Sequence, residues 1–242
     1  MNSTLVIPTL NEIAGMRQIM PRIKREWVNQ IILMDGGSTD GTVEYALEHG
    51  YEVHVQKQKG LRLGFKELYP KITGDIIITF SPDGNSIPEL LPALIQKMKE
   101  GYEMTVVSRY LGEAKSYDDT PITRLGNFLF TKIINILFGG KYTDALVLYR
   151  AYKKKVPKDL RILDDRSELY ERLIGKFISW EPQLSVRCAE HKMWVCEIPG
   201  DEPPRISADN EKGGVFLPVS KIHHFKSGFA CLYMFCDEFL RK

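Results

Sequence analysis

Five short runs of β-branched and apolar residues mark the first 110 positions: LVIP (5–8), IILMD (31–35), EVHV (52–55), DIIITF (75–80) and EMTVVS (103–108). They recur about every 20 to 28 residues, with amphipathic stretches of helical pattern between them. Strands alternating with helices in this way predict βαβ units and a mostly parallel central sheet flanked by helices, an α/β fold. Ligands of such sheets sit beyond the carboxyl ends of the strands. The segments to read for chemistry are therefore those that follow the runs: PTLNE, DGGSTDGT, SPDGNS and SRY.

Past residue 110 the pattern changes. A polar loop with Tyr117, Asp118 and Asp119 leads into a helical stretch from Pro121 to Phe138, then a mixed region and an aromatic-rich tail. No repeat or low-complexity linker interrupts the chain, so the expectation is one domain over residues 1–212 and a C-terminal amphipathic accessory helix within 213–242. Within the helical stretch, Arg124, Asn127, Thr131 and Asn135 fall three, four and four residues apart, a single polar stripe on a helix otherwise rich in Ile, Leu and Phe. Two orientations follow: the stripe faces water while the apolar side packs on the sheet, or it faces a ligand while the apolar flanks meet lipid. The tail, with Phe216, Phe225, Phe229, Leu232, Tyr233, Phe235 and Phe239, suits a bilayer surface, a core-closing helix or a contact between two copies in a homodimer.

Charge narrows the function classes. Among 242 residues, 33 Lys and Arg stand against 31 Asp and Glu, a net +2 that argues against a partner held by a large basic surface, such as nucleic acid. With 43% hydrophobic and 26% charged residues, the chain has the balance of a globular enzyme. No stretch reaches the 18 or so consecutive apolar residues of a spanning helix, and the first ten residues lack a basic, apolar leader. The expectation is a cytoplasmic protein, with any membrane contact peripheral and at the cytoplasmic face. Cys188, Cys196, Cys231 and Cys236 form no C-x-x-C pair, which fits a reducing compartment and no zinc module.

Each loop after a strand carries a candidate constellation. Pro8, Thr9, Asn11 and Glu12 follow the first run, where Asn11 reads either as a helix N-cap or as part of a binding loop. After the second, Asp35 can accept hydrogen bonds from a nucleobase or ribose, and Gly36 and Gly37 let backbone approach a ligand. Ser38 or Asp40 can equally cap the next helix. After the fourth, Asp83 and Asn85 stand two residues apart on Ser81–Ser86, where a carboxylate and an amide can share one hard cation with a diphosphate. A plain Pro-Asp-Gly turn is the alternative.

Taken in order and strand context, VIPTLNE, LMDGGSTDGT, SPDGNSIPE, VSRY, TRLGN and DALVLYRAYKK resemble family 2 glycosyltransferases of the GT-A nucleotide-sugar-binding fold. The resemblance is to the branch of polyprenyl-phosphate sugar transferases that includes dolichyl-phosphate mannose synthase. It covers residues 5 to about 155, with a weaker echo in EIPGDEPPR (197–205). It implies that Pro8, Thr9, Asn11, Glu12, Asp35, Gly37, Ser38 and Asp83 hold a nucleotide-sugar donor. It further implies a Mg2+ or Mn2+ ion on Asp83 and Asn85, and acceptor binding by Arg109, Arg124, Asn127 and Arg205. Two departures bear on this: Ser81 stands where the family usually has its first metal-binding aspartate, and Val147-Leu148-Tyr149 replaces the usual Ser-Gly-Phe.

The resemblance implies an inverting enzyme that moves a sugar from a nucleotide-diphosphate donor to a polyprenyl (dolichyl or undecaprenyl) phosphate, with Asp83 and Arg124 at the reaction. A second possibility is a hydroxyl acceptor on a glycan, which needs a base; Asp144 is the first candidate, followed by Asp118, Asp119 and Asp165. A third is a catalytically silent nucleotide-sugar binding protein, motivated by Ser81 and Val147-Leu148.

Overall fold

A computed structural model describes residues 1–164, 180–206 and 221–240. The proposed boundary at 212/213, Asp165, Phe216 and the side chain of Phe225 lie outside the described residues. Seven strands form one sheet: β1 (Ser3–Thr9), β2 (Gln30–Asp35), β3 (Glu52–Val55), β4 (Ile76–Thr79), β5 (Met104–Ser108), β6 (Arg150–Lys153) and β7 (Val195–Pro199). Their order is β3-β2-β1-β4-β6-β5-β7. All pairings are parallel except those of β6, which runs antiparallel to both β4 and β5.

The inner strands β1, β2, β4 and β5 read as largely apolar, buried runs because both faces of the sheet are covered. Successive residues alternate between two cores. Leu5, Ile7, Ile31, Leu33, Ile76 and Ile78 pack with Met16 and Ile19 of α1 (Ile13–Ile19), Ala46 of α2 (Thr42–Glu48) and Leu94 and Met98 of α4 (Leu91–Lys99). On the other face, Val6, Ile32, Met34, Ile77, Met104 and Val106 meet Phe65 of α3 (Leu61–Leu68) and Ile134 of α5 (Pro121–Phe138). Val156 of α6 (Val156–Asp159), Trp180 of α7 (Trp180–Glu190) and Ala230, Met234 and Phe235 of α8 (Lys221–Leu240) complete that layer. Phe65 stacks on Trp180 with ring centroids 4.9 Å apart. The described part of the C-terminal helix thus closes the main core while leaving Phe229, Leu232, Phe239 and Leu240 exposed.

Helix α5 begins on a capping box between Thr120 and Thr123, with Pro121 in its first turn, and ends at Gly139, whose φ of 76° is the left-handed cap that glycine adopts freely. Its polar stripe points inward. Asn135 bonds both the N–H and the carbonyl of Tyr142, at 2.9 and 2.8 Å, and the buried Thr131 hydroxyl accepts from the Ala145 N–H at 3.2 Å. The apolar residues Ile122 (77% exposed), Leu125, Phe128, Leu129 and Ile136 face outward instead. The orientation with the stripe in water and the apolar side on the sheet is therefore corrected, except at Arg124, which is exposed. No helix among the described residues is long and apolar enough to cross a membrane.

Candidate active site

The register that pairs Thr9 with Asp35 brings the first two loops together at the carboxyl edge. Asp35 is fully buried; one carboxylate oxygen accepts from the N–H groups of Gly37 (2.9 Å) and Ser38 (2.8 Å), the other from the hydroxyls of Ser38 (2.5 Å) and Thr9 (3.1 Å). In this state Asp35 closes its own loop, with both oxygens occupied. Asn11 is no N-cap. It sits at φ 60°, its N–H donates to Ser38 Oγ at 2.8 Å, and its Oδ1 accepts from the Thr39 N–H at 2.8 Å, which ties the first loop to the second. The Glu12 N–H donates to Thr42 Oγ1 at 2.9 Å, and Asp40 receives the N–H groups of Ile13 and Thr42, each at 3.0 Å. Asp40 is thus the residue that caps here, serving α1 and α2 at once.

The loop after β4 lies against α1 so closely that a Cβ on Gly15 would stand 2.2 Å from the carbonyl oxygen of Pro82. Asp83, 4% exposed, accepts from the Asn85 N–H at 3.1 Å. The Asp83 carbonyl accepts from the Ile206 N–H at 2.7 Å, and Ile206 then crowds Gly84, whose φ is 95°. The neighbouring Arg205 stands with its Nε 3.7 Å from Asp83 and 3.0 Å from Asp118. Ser81 Oγ brings no carboxylate, so the oxygen donors here are Asp83 and the Asn85 amide. The Asn85 Oδ1 is buried and has no hydrogen-bond partner, while its Nδ2 donates to Asp118 (3.1 Å) and Glu202 (3.3 Å). A carboxylate with an orphaned buried amide oxygen fits a hard divalent cation that takes its remaining ligands from phosphate and water. No group of three or more His, Cys, Asp or Glu side chains suited to a metal occurs among the described residues.

Beyond β5 the site is built from charge. Arg109 forms a bidentate pair with the fully buried Asp144, its Nε and Nη2 at 2.6 and 3.0 Å, while its Nη1 reaches both Glu202 oxygens at 3.1 and 3.2 Å. Burial opposes the Arg109 charge, but Asp144 and then Glu202 outweigh it and hold its pKa above the usual arginine value. For Glu202 burial wins: its pKa is raised despite Arg109 and the Ser116 hydroxyl. Two expectations are corrected by these contacts. Asp144 is not placed as a base, because its carboxylate is out of solvent and locked to a guanidinium. Arg109 is not a spare cation for an acceptor, since two carboxylates already occupy it. Glu197 of β7 holds Asp144 from behind by accepting its N–H at 2.9 Å and the Thr143 N–H at 2.8 Å.

Helix α5 adjoins these loops. Asn127 Nδ2 donates to Tyr110 Oη at 3.0 Å, and Tyr110 in turn donates to Asp119. Arg124, in the first turn of α5, is exposed and makes no side-chain hydrogen bond or ion pair with a described residue. The departure at Val147-Leu148-Tyr149 keeps an ordered loop: the wholly buried Arg150 donates to the carbonyls of Val147 (3.0 Å) and Ala145 (3.2 Å), and Tyr149 Oη to that of Ile87 (3.1 Å). Sequence reasoning missed Glu202, Glu197 and Arg150. Each lay inside a quoted motif, and none carried a pattern that separates a buried ion partner from a surface charge.

Of the residues expected at the site, Pro8, Thr9, Asn11, Glu12, Asp35, Gly37 and Ser38 form one wall and Asp83, Asn85 and Arg205 the floor. Arg109 and Asp144 lie behind that floor, and Arg124 and Asn127 lie on the rim.

A glycosyl transferase family 2 profile matches residues 4–161. Glycosyltransferase AglJ of Haloferax volcanii is 23% identical over 202 residues, covering 83% of this chain and 63% of its own length. An undecaprenyl-phosphate 4-deoxy-4-formamido-L-arabinose transferase of Shewanella sediminis is 24% identical, covering 77% and 59%. The chain therefore spans less than two thirds of the length of both relatives. Among solved structures, glucosyl-3-phosphoglycerate synthase from Mycobacterium tuberculosis, in complex with Mn2+, uridine diphosphate and glucosyl-3-phosphoglycerate, superimposes with a TM-score of 0.65 at 18% identity. That match covers 98% of this chain and 80% of the other, and it shows the same fold.

Proposed function

Because the chain belongs to glycosyl transferase family 2, we propose that it moves a sugar from a nucleotide-diphosphate donor, with inversion, to a polyprenyl phosphate presented at a membrane surface. The observation that carries this reading is the reversed amphipathicity of α5. The helix starts directly after Asp118 and Asp119, turns Asn127, Thr131 and Asn135 to the protein, and exposes Ile122, Leu125, Phe128, Leu129 and Ile136 together with Arg124. Phe130 packs edge-on against Phe235 at 5.9 Å, which sets the exposed Phe229 and Leu232 of α8 alongside. A lipid tail has apolar surface to lie on, and a cation stands between that surface and the carboxylates.

The donor diphosphate lies over the loop of Asp83 and Asn85 in this reading. A divalent cation held by Asp83 and the Asn85 amide oxygen, Mg2+ or Mn2+, supplies neutralisation of the charge that builds on the leaving diphosphate. The protein's own groups do the rest. The wall formed by Asn11, Asp35 and Ser38 orients the nucleoside. Arg205, which pairs with Asp83 and Asp118, would be placed to meet the donor phosphates where a cation shares those carboxylates. Arg124 positions the acceptor phosphate, whose second pKa near 6 leaves it largely dianionic at neutral pH and in no need of a base.

One observation favours a second reading, in which the acceptor is a glycan hydroxyl. Asp83, Asp118, Asp119, Asp144 and Glu202 are linked in one cluster in which Arg109 and Arg205 are the cations among the described residues, a field that repels a phosphate dianion. Asp118, 31% exposed at its side chain, then replaces Asp144 as the base. The test is nucleotide release from UDP-, GDP- and dTDP-sugars with extracted lipid or soluble glycans, in wild type and Arg124→Ala. The lipid reading expects release that depends on polyprenyl phosphate and an acceptor KM raised about tenfold by the loss of one charged contact. Lipid-independent release that is unchanged in Arg124→Ala assigns the hydroxyl reading instead.

A further inference from the structure

We propose that Glu202 is a positioning residue: it sets the orientation of the Asn85 amide so that the oxygen, and not the nitrogen, is offered to the cation. This rests on the cation site proposed above.

The two ends of a terminal amide have almost the same shape, and only their partners decide which faces where. Here both partners of the nitrogen are carboxylates, Asp118 at 3.1 Å and Glu202 at 3.3 Å, and the oxygen is left buried and unbonded. The reverse orientation would set the amide oxygen against two negative carboxylates, a repulsion strengthened by burial. The two acceptors differ in how firmly they are held. Asp118 is 31% exposed and shared with the Arg205 Nε. Glu202 is 9% exposed and bound on every side: Arg109 Nη1 donates to both its oxygens, and Ser116 donates to one of them. Its N–H donates to the Lys115 carbonyl at 2.9 Å, and its carbonyl accepts from the Tyr117 N–H at 2.9 Å. Glu202 is thus the fixed reference and Asp118 the adjustable one. With Ser81 in place of an acidic residue, the amide oxygen is the second ligand the loop supplies, so its direction matters more than it would beside a second aspartate. Partners that orient a metal ligand commonly change affinity by about 10- to 100-fold when removed.

Electron paramagnetic resonance of free Mn2+ reads binding directly, without turnover, in the full chain with UDP or GDP present. Glu202→Gln, which removes the negative charge that faces the amide nitrogen, is expected to weaken Mn2+ binding by at least about tenfold. Adding Asn85→Asp restores it, because a carboxylate offers oxygen in either orientation. A purely structural role for Glu202 gives no such rescue. If Glu202→Gln unfolds, Glu202→Asp, which keeps the charge but withdraws it, is compared with and without Asn85→Asp in the same way. Mn2+ binding unchanged in the Glu202 variants while Asp83→Ala abolishes it overturns the inference and leaves the cation site standing. Equal binding by wild type and Asp83→Ala removes the cation site, and the inference with it.

Discussion

The loops after β1 and β2 are closed by hydrogen bonds from backbone N–H groups and hydroxyls to Asp35, Asp40 and Asn11. The loops after β4, β5 and β7 are closed by ion pairs, Arg109 to Asp144 and Glu202, and Arg205 to Asp83 and Asp118. The first set leaves each carboxylate satisfied and rigid, a preformed wall. The second set trades in full charges that a cation, a diphosphate or a phosphate can replace with charges of their own. Within it, burial grades the exchange. Arg109 is 11% exposed at its side chain and locked between two carboxylates, whereas Arg205, which pairs with Asp83 and Asp118, is 36% exposed. Rigid recognition and exchangeable charge thus occupy opposite ends of one sheet edge.

The largest test of that contrast is Arg109→Ala. It strands the buried Asp144 and leaves Glu202 without its cation, and removal of one partner from such a pair costs about 3–5 kcal/mol. Ser38→Ala on the opposite wall removes a hydrogen bond to a charged acceptor, about 1.5–3 kcal/mol. Denaturant midpoints compare the two, and the contrast breaks if Ser38→Ala is the more damaging.

A smaller effect is expected from Gly15→Ala, whose methyl group would meet the Pro82 carbonyl at 2.2 Å. Overpacking of this kind costs about 1–3 kcal/mol, and the displacement falls on Asp83. Gly15→Ala should therefore raise the KM for donor more than that for acceptor, which sharpens the division between wall and floor. Equal changes in both constants would show that the two loops do not act separately.

The smallest effect lies at Glu67, beside the loop that follows β3. Burial raises its pKa, but the N–H groups of Lys57 and Gln58 and the ring of His54 lower it further, so the net shift is downward from 4.5. A carboxylate with a depressed folded pKa adds stability above its unfolded value and loses it as pH falls through the folded one. Wild type should accordingly melt above Glu67→Gln at neutral pH, with the gap closing under acid conditions. A gap that widens on acidification has the wrong sign for this account.

Four of the five early strands were legible because two covered faces demand near-continuous apolar residues, and the edge strand β3 because Val53 and Val55 alternate with polar residues; all five appear within a residue or two of where the pattern set them. Strands β6 and β7 were not: RAYK carries a buried arginine, and VCEIP mixes a half-buried glutamate into an edge strand, so neither shows a clean hydrophobic period. The stripe on α5 was visible, but its direction was not. Periodicity reports that polar residues share a face and carries no sign for inward or outward, and here Tyr142, Ala145 and Tyr110 supply the inward partners.

The chain by itself determined the α/β class and set the candidate loops, that of Asp83 among them, beyond the carboxyl ends of the strands. These depend on local pattern and strand order, which a linear sequence records. Only the tertiary structure decided that Arg109 and Asp144 neutralise each other, that Arg205 rests on Asp83, and that Glu202 accepts from the Asn85 amide nitrogen. Those are pairings between residues 35 to 122 positions apart along the chain, and whether a charge is spent or available depends on what folding sets beside it.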